Sequence, residues 1–312
     1  MITDKIDAIT KIPDAYRKTV IPIPRSVKIE LTGRCNFRCS FCARSDLLRK
    51  QSDMDFSLYR RLICELRDAG VEELGLFFLG ESMLYPFLTE AIREAKEIGF
   101  PYVFLTTNGS LANPKKVSGL MKAGLDSLKF SFNYASPGQF SEIAGVKEAI
   151  FDQVISNIKD AYFVRKNGNY NTGLYASYIE FDGEQGDKMR KVIGEVLPYL
   201  DEVYSLPLYN QAALCNKKEA EKGWKPTAGN RGRVGNLRDP IPCWAVFTEG
   251  HITWDGKLSA CCFDHSNSFE MADLNKISFV DGWNSITFQE LRGAHLKKEL
   301  KGTACEYCVA YN

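Results

Sequence analysis

The chain has 312 residues, 45% apolar and 25% charged, the profile of an ordinary folded protein of about two domains; disordered, collagen-like and membrane-bundle classes are excluded. Forty basic residues against thirty-nine acidic leave a formal charge of +1, so no global basic field draws the chain to nucleic acid or an anionic bilayer. The longest apolar runs, such as Leu76 to Leu79, fall far short of the ~18 residues a spanning helix needs. The N-terminus scatters charge where a signal peptide would carry an apolar core, so a cytoplasmic, reducing location is expected. In that setting ten cysteines point to metal ligation or redox chemistry rather than to disulfides.

Residues 1–24 read as a polar leader ending in an extended Ile-Pro-Ile-Pro stretch. Over residues 25–215, six apolar runs are each followed by a pattern of period 3.6. The spacing predicts strands at Val27 to Leu31, Glu73 to Leu79, Tyr102 to Thr106, Ser127 to Phe132, Leu174 to Ile179 and Glu202 to Leu208. Helices are predicted near Ser57 to Asp68, Pro86 to Ile98, Pro114 to Lys122, Val146 to Lys166 and Glu184 to Leu197. This alternation is that of an α/β protein, a partial (β/α)6 TIM-like barrel with functional residues at the C-terminal ends of its strands. Those ends hold Thr32 to Cys42, Gly80 and Glu81, Thr107 and Asn108, Asn133 and Tyr134, Glu180, and Tyr209 to Gln211.

Residues 216–242 form a Gly- and Arg-rich connector in which Arg231, Arg233 and Arg238 offer forked donors suited to phosphate or carboxylate. Residues 243–312 read as a small C-terminal domain. There Ala245 to Thr253 and Lys257 to Cys262 flank Asp255-Gly256, a type I′ hairpin signal, and a helix from Asn284 to Leu300 precedes a final C-x2-C.

Cys35, Cys39 and Cys42 form a C-x3-C-x2-C cluster on the loop after the first strand. Three such thiolates hold three irons of a cubane and leave the fourth open to an exogenous ligand. A closed zinc site would need a fourth ligand nearby, yet all three histidines lie beyond residue 250. Cys243, Cys261, Cys305 and Cys308 are spaced C-x12-G-x4-C and then C-x2-C. Four thiolates can close every iron of a second cubane, which suits electron transfer; the same set suits a zinc ribbon, and Cys262 is an alternative to Cys261. Cys64 and Cys215 are expected to be ordinary packing residues.

The first cluster motif, its place after strand one and the six βα units resemble the radical S-adenosylmethionine superfamily over residues 25–215. The C-x12-G-x4-C spacing is similar to the opening of that family's SPASM extension, shortened as in its twitch domains. The resemblance implies that Cys35, Cys39 and Cys42 ligate a site-differentiated 4Fe-4S cluster, and that the four later cysteines hold an auxiliary 4Fe-4S cluster. Phe41 would lie against the adenine of S-adenosylmethionine, and Gly80 and Glu81, in a segment resembling the family's GGEP, would receive its amino group. Thr107, Asn108, Ser131 and Asn133 are further cofactor candidates.

The implied activity is reductive cleavage of S-adenosylmethionine to a 5′-deoxyadenosyl radical, which takes hydrogen from a small polar metabolite such as a sugar, aminocyclitol or nucleotide derivative. The auxiliary cluster would accept an electron in a dehydrogenation, as in a similarly sized aminocyclitol dehydrogenase of the butirosin pathway. Asp264, His265 and Tyr209 are the acid–base candidates. Tyr178, Glu180, Asn210, Arg231 and Arg233 are the substrate-binding candidates. A reductant such as flavodoxin or ferredoxin is the expected partner, with no nucleic acid and no membrane. Peptide maturation and a non-catalytic iron-sulfur or zinc protein are the alternative readings.

Overall fold

The computed structural model describes residues 1–43, 50–179, 184–209, 211, 239, 241–263, 265 and 268–309. Six parallel strands build the barrel: β1 (Ser26–Ile29), β2 (Glu73–Gly75), β3 (Tyr102–Thr107), β4 (Ser127–Ser131), β5 (Gly173–Ile179) and β6 (Glu202–Leu206). Crossover helices connect them: α2 (Phe56–Asp68), α3 (Leu88–Ile98), α4 (Pro114–Lys122), α5 (Pro137–Ala144), α6 (Ala149–Gly168) and α7 (Glu184–Val196).

Side chains alternate along each strand. In β3, Val103, Leu105 and Thr107 are buried under the helices, whereas Tyr102, Phe104 and Thr106 line the interior. Because Thr106 is level with Lys129 and Lys129 with Tyr175, the same inward face continues through β4 and β5.

Local chemistry explains most departures from the expected boundaries. β2 stops at Gly75, short of Leu79, because the chain turns away to bring Gly80 against the loop after β1. The predicted single helix from Val146 is preceded by α5, started by the Ser136 side chain accepting from Gln139 N–H, with Pro137 in its first turn, and stopped by Gly145 at φ 64°. In α2 the buried stripe is Tyr59, Leu62, Ile63 and Leu66; Cys64 falls beside it and is exposed, not packed as expected.

The N-terminal segment is not only a polar leader. Helix α1 (Ile2–Thr10) closes the N-terminal mouth of the barrel. Ile2 N–H donates to the Glu202 carboxylate at 2.8 Å, Lys5 lies 4.1 Å from the Tyr102 ring centroid, and Thr248 Oγ1 donates to Ile9 O at 2.7 Å.

The C-terminal region extends the same sheet. Ala245 to Thr248 form a helical turn, α8, rather than the start of a strand, and β7 (Glu249–Ile252) pairs in parallel with β1. β8 (Lys257–Ser259) and β9 (Glu270–Asp273) follow antiparallel, giving the order β6-β5-β4-β3-β2-β1-β7-β8-β9. The hairpin is a three-residue loop, not a type I′ turn. Gly256 N–H donates to Thr253 O, Gly256 alone takes positive φ (80°), and Thr253 N–H closes onto Lys257 O.

Helices α9 (Phe279–Trp283) and α10 (Ile286–Lys297) cover this extension, and α11 (Glu306–Val309) ends the described chain. α10 is shorter than expected: the Ser285 side chain caps its start and Lys298 at φ 62° ends it. Among the described residues no helix is long and apolar enough to cross a membrane.

Candidate active site

The loop that carries Cys35, Cys39 and Cys42 is anchored along its whole length. Arg34 forms a two-pronged ion pair with Asp53, at 2.9 and 2.7 Å, and also donates to Leu84 O. Asn36 accepts from Asn108 Nδ2 at 2.9 Å and donates to Ser110 Oγ at 2.8 Å, so the Thr107-Asn108 turn grips the loop. Phe37 is buried edge-on against Phe140, with ring centroids 5.5 Å apart. The N–H groups of Arg38 and Ser40 donate to the last carbonyls of α5, Ala144 O and Ile143 O. Gln211 bridges the far side, donating to Phe41 O at 2.6 Å and accepting from Ala43 N–H at 3.0 Å.

The three cysteines line one cleft of about 550 Å³ together with Phe37, Arg38 and Leu79. Burial pushes the Cys39 thiol up to about 12, while the Tyr134 hydroxyl, 3.5 Å from its sulfur, favours the thiolate. Iron bonded to sulfur supplies the charge stabilisation that burial removes, so a buried thiol facing a shared cleft fits a cluster ligand.

Gly80 explains why the second strand leaves the sheet early. A Cβ there would lie 2.0 Å from Thr32 O and 2.7 Å from Arg34 O, and Glu81 N–H already donates to Arg34 O at 2.8 Å. Gly80→Ala is therefore expected to destabilise the fold by about 3 kcal/mol, the upper end of overpacking costs, and to halve iron uptake at the first cluster. A variant with unchanged iron content and unchanged denaturation midpoint would contradict this close approach.

Glu81 is buried, and its carboxylate accepts from Thr107 Oγ1 at 2.8 Å, Asn108 N–H at 2.8 Å and Met83 N–H at 3.1 Å. Burial raises its pKa, and the three donors oppose the rise. The side chain thus joins the ends of β2 and β3, beneath the turn that holds Asn36. Phe41 packs against Ile179 and Leu208 at the ends of β5 and β6. Ser131 shares the inward face of β4 with Lys129, and Asn133 Oδ1 accepts from Ile179 N–H at 3.0 Å.

Tyr178 does not meet its expectation. It is level with Ser205 and lies on the opposite face from the inward Ser177 and Ile179, so it points toward the helices rather than the cavity. Tyr209 does line the barrel interior, with its ring 5.5 Å from Phe263. His265 is buried, its N–H donating to Phe263 O, rather than lying on a solvated loop. Glu180, Asn210, Arg231, Arg233, Arg238, Cys215 and Asp264 lie outside the described residues.

The second constellation is brought together from three places in the chain. Cys243 precedes α8, Cys261 follows β8, and Cys305 and Cys308 flank the start of α11. Burial raises the Cys261 and Cys305 thiols; charge repulsion from Cys262, then Cys305 and Cys308, adds to the first, and repulsion from Cys243 and Cys308 to the second. Cys262 lines the barrel interior beside Lys28 and Glu249 and feels the charge of Cys243, whereas Cys261 feels that of Cys305 and Cys308.

His295, which its helical position marks as a structural residue, accepts from Cys243 N–H through Nδ1 at 3.3 Å, and burial lowers its pKa to about 4. Among the described residues no three ligating side chains converge on one ion position.

Residues 29–172 match the family model of the Radical SAM superfamily, and residues 243–309 that of an iron-sulfur cluster-binding domain, SPASM. The chain is 31% identical over 318 residues to the PqqA peptide cyclase of Xanthomonas axonopodis pv. citri, covering 93% of this chain and 81% of that protein. It is also 31% identical over 127 residues to a probable GTP 3′,8-cyclase of Methanothermobacter marburgensis; there the match spans 41% of this chain and only 40% of the relative's length.

Among solved structures, BtrN in complex with AdoMet and 2-DOIA has the same fold, with a TM-score of 0.60 at 17% identity over 91% of each chain. The cysteine loop, the partial barrel and the C-terminal thiolate set thus agree with both family models, and the chain belongs to the radical SAM superfamily and bears an iron-sulfur domain of the SPASM/twitch type.

Proposed function

We propose that this radical SAM enzyme dehydrogenates a small polar metabolite held inside its barrel. The observation that carries the reading is the interior cavity, about 170 Å³, lined by Phe77, Phe104, Lys129, Tyr204, Tyr209 and Cys262 and floored by α1.

The two clusters, one on Cys35, Cys39 and Cys42 and one on Cys243, Cys261, Cys305 and Cys308, supply and accept single electrons when bound. The loop anchors described above hold the first three thiols in place, and Phe41 lies where an adenine could stack beside Ile179 and Leu208. Oxidation of a carbinol releases one hydrogen atom, one proton and one electron; the hydrogen atom would go to a 5′-deoxyadenosyl radical, the proton to a base of this chain, and the cluster held by the four later cysteines would supply a site for the electron. Tyr209, which lines the cavity, and the buried His265 are the proposed bases, and flavodoxin or ferredoxin is the reductant class. A peptide substrate is the second reading, favoured by the similarity to PqqA peptide cyclase over 93% of the chain.

The test is anaerobic reconstitution followed by 5′-deoxyadenosine release under dithionite, with sugars and aminocyclitols set against synthetic peptides. About eight irons are expected in the parent protein and about four in Cys243→Ala or Cys305→Ala. Both variants are expected to release 5′-deoxyadenosine while substrate oxidation falls at least about tenfold, a loss of ~1.4 kcal/mol or more in coupling. Loss of all iron in either variant would overturn the two-cluster assignment, and stimulation by peptides alone would replace the metabolite by the second reading.

A further inference from the structure

Charge is nearly balanced inside the barrel, with one exception. Glu73 is paired with Lys5 at 3.7 Å and Arg25 at 3.2 Å, and Glu249 with Lys28 at 2.7 Å. Lys129, on the inward face of β4, has no carboxylate within ion-pair reach among the described residues. Its ammonium donates to Tyr204 Oη at 3.2 Å and stands 5.9 Å from the Phe77 ring centroid; Lys28 faces the same ring at 5.3 Å.

An ammonium has three N–H donors, and Tyr204 takes one. The Lys129 side chain lines a cavity also walled by Phe77, Phe104 and Tyr204. A cation in such a place is costly unless something negative meets it. A barrel that needed only to be filled would have an apolar side chain at this position.

We propose that Lys129, with the Tyr204 hydroxyl, is the binding site for an oxyanion of the substrate, a carboxylate or a phosphate ester. This rests on the reading that the barrel interior is the substrate site, and it narrows the substrate from any polar metabolite to an anionic one. The ammonium supplies two charge-assisted donors and the tyrosine a third, while the aromatic walls accept the carbon skeleton. Anchoring one end of the substrate at Lys129 leaves the other end for the part of the cavity lined by Tyr209 and Cys262.

The experiment uses reconstituted holoenzyme and three probes of one carbon skeleton: glycerate, glycerol 3-phosphate and glycerol. Binding is read by titration calorimetry at fixed ionic strength, without S-adenosylmethionine. At least one anion is expected to bind at least tenfold more tightly than glycerol, and whichever does so identifies carboxylate or phosphate as the recognised group. Lys129→Gln is expected to weaken that anion between about tenfold and a hundredfold, the range of a lost charged hydrogen bond, and Lys129→Arg to restore most of it. Equal binding of glycerol, absence of anion binding, or undiminished binding by Lys129→Gln overturns the proposal.

Release of 5′-deoxyadenosine is scored separately on the same preparation. Release without anion binding leaves the radical reading standing and removes the anion site. Anion binding that depends on Lys129, with no release, does the reverse.

Discussion

Cys39→Ala is expected to abolish 5′-deoxyadenosine formation, by roughly a thousandfold or more, equivalent to ~4 kcal/mol of lost transition-state stabilisation. The iron count is expected to fall from about eight to about four, because two remaining thiolates cannot hold a cubane while the second constellation stays intact. Cys39 is the informative position. Its sulfur lies 3.5 Å from the Tyr134 hydroxyl, and Tyr134 packs on Phe140, which in turn packs on Phe37 of the same loop. Tyr134→Phe keeps that packing and removes only the hydroxyl, so a milder loss is expected. Iron and sulfide analysis together with chromatography of the nucleoside product checks both variants; unchanged release by Cys39→Ala would sink the assignment of the open cluster.

Glu249→Gln is expected to destabilise the protein by about 3–5 kcal/mol, the cost of leaving a buried charge without its partner. The Glu249 carboxylate is buried between Lys28 Nζ at 2.7 Å and His251 Nε2 at 3.0 Å. Burial opposes its charge, but Lys28 and His251 outweigh that and hold its pKa down to about 2, below an ordinary value of 4.5. A lowered acid pKa adds stability that is present above pH 4.5 and lost as the pH falls toward 2. The shift corresponds to on the order of 3 kcal/mol.

Burial also lowers the pKa of His251 from its ordinary 6.5, because a neutral ring is favoured in the folded protein. That contribution acts in the same direction and begins earlier, since below pH 6.5 the unfolded chain takes up a proton the native ring resists. Denaturation midpoints between pH 7.5 and 4 are therefore expected to fall continuously in the parent protein. Glu249→Gln is expected to start lower and to lose part of the slope below pH 4.5. A variant within 1 kcal/mol of the parent at pH 7 would show that the trio contributes little.

The features legible in the sequence were those written locally. Alternation made β3 readable, and a run of three cysteines after β1 located the cluster loop without any tertiary information. Five of the six barrel strands, all but β2, ended within two residues of their expected places for the same reason. Contacts distant in sequence were hidden. Nothing in Glu249-Gly250-His251-Ile252 says that its partner is Ser26 to Ile29, more than two hundred residues earlier.

The role of α1 was half visible, since Ile2, Ile6 and Ile9 fall on one helical face. The polar residues between them hid it. Tyr178 was misjudged by a single position, which in a strand turns a side chain to the other face. Gln211 and Asn36 lay within the expected strand ends, but their roles, and that of His295, were hidden because each acts through hydrogen bonds to groups that only the fold brings near.

The pairing of β7 with β1 bears on the order in which the molecule can be assembled. During synthesis, β1 to β6 emerge well before residue 249, so β1 waits as an open sheet edge with its hydrogen-bonding groups unpaired. Only closure of a very long loop covers it, a slow step of high contact order. A chain truncated before residue 243 would expose that edge permanently and tend to aggregate, even though it contains all six barrel strands. The strand leading into the first cysteine loop thus gains its second neighbour only when the last quarter of the chain has folded, which makes the maturation of the first metal site dependent on the segment that holds the second.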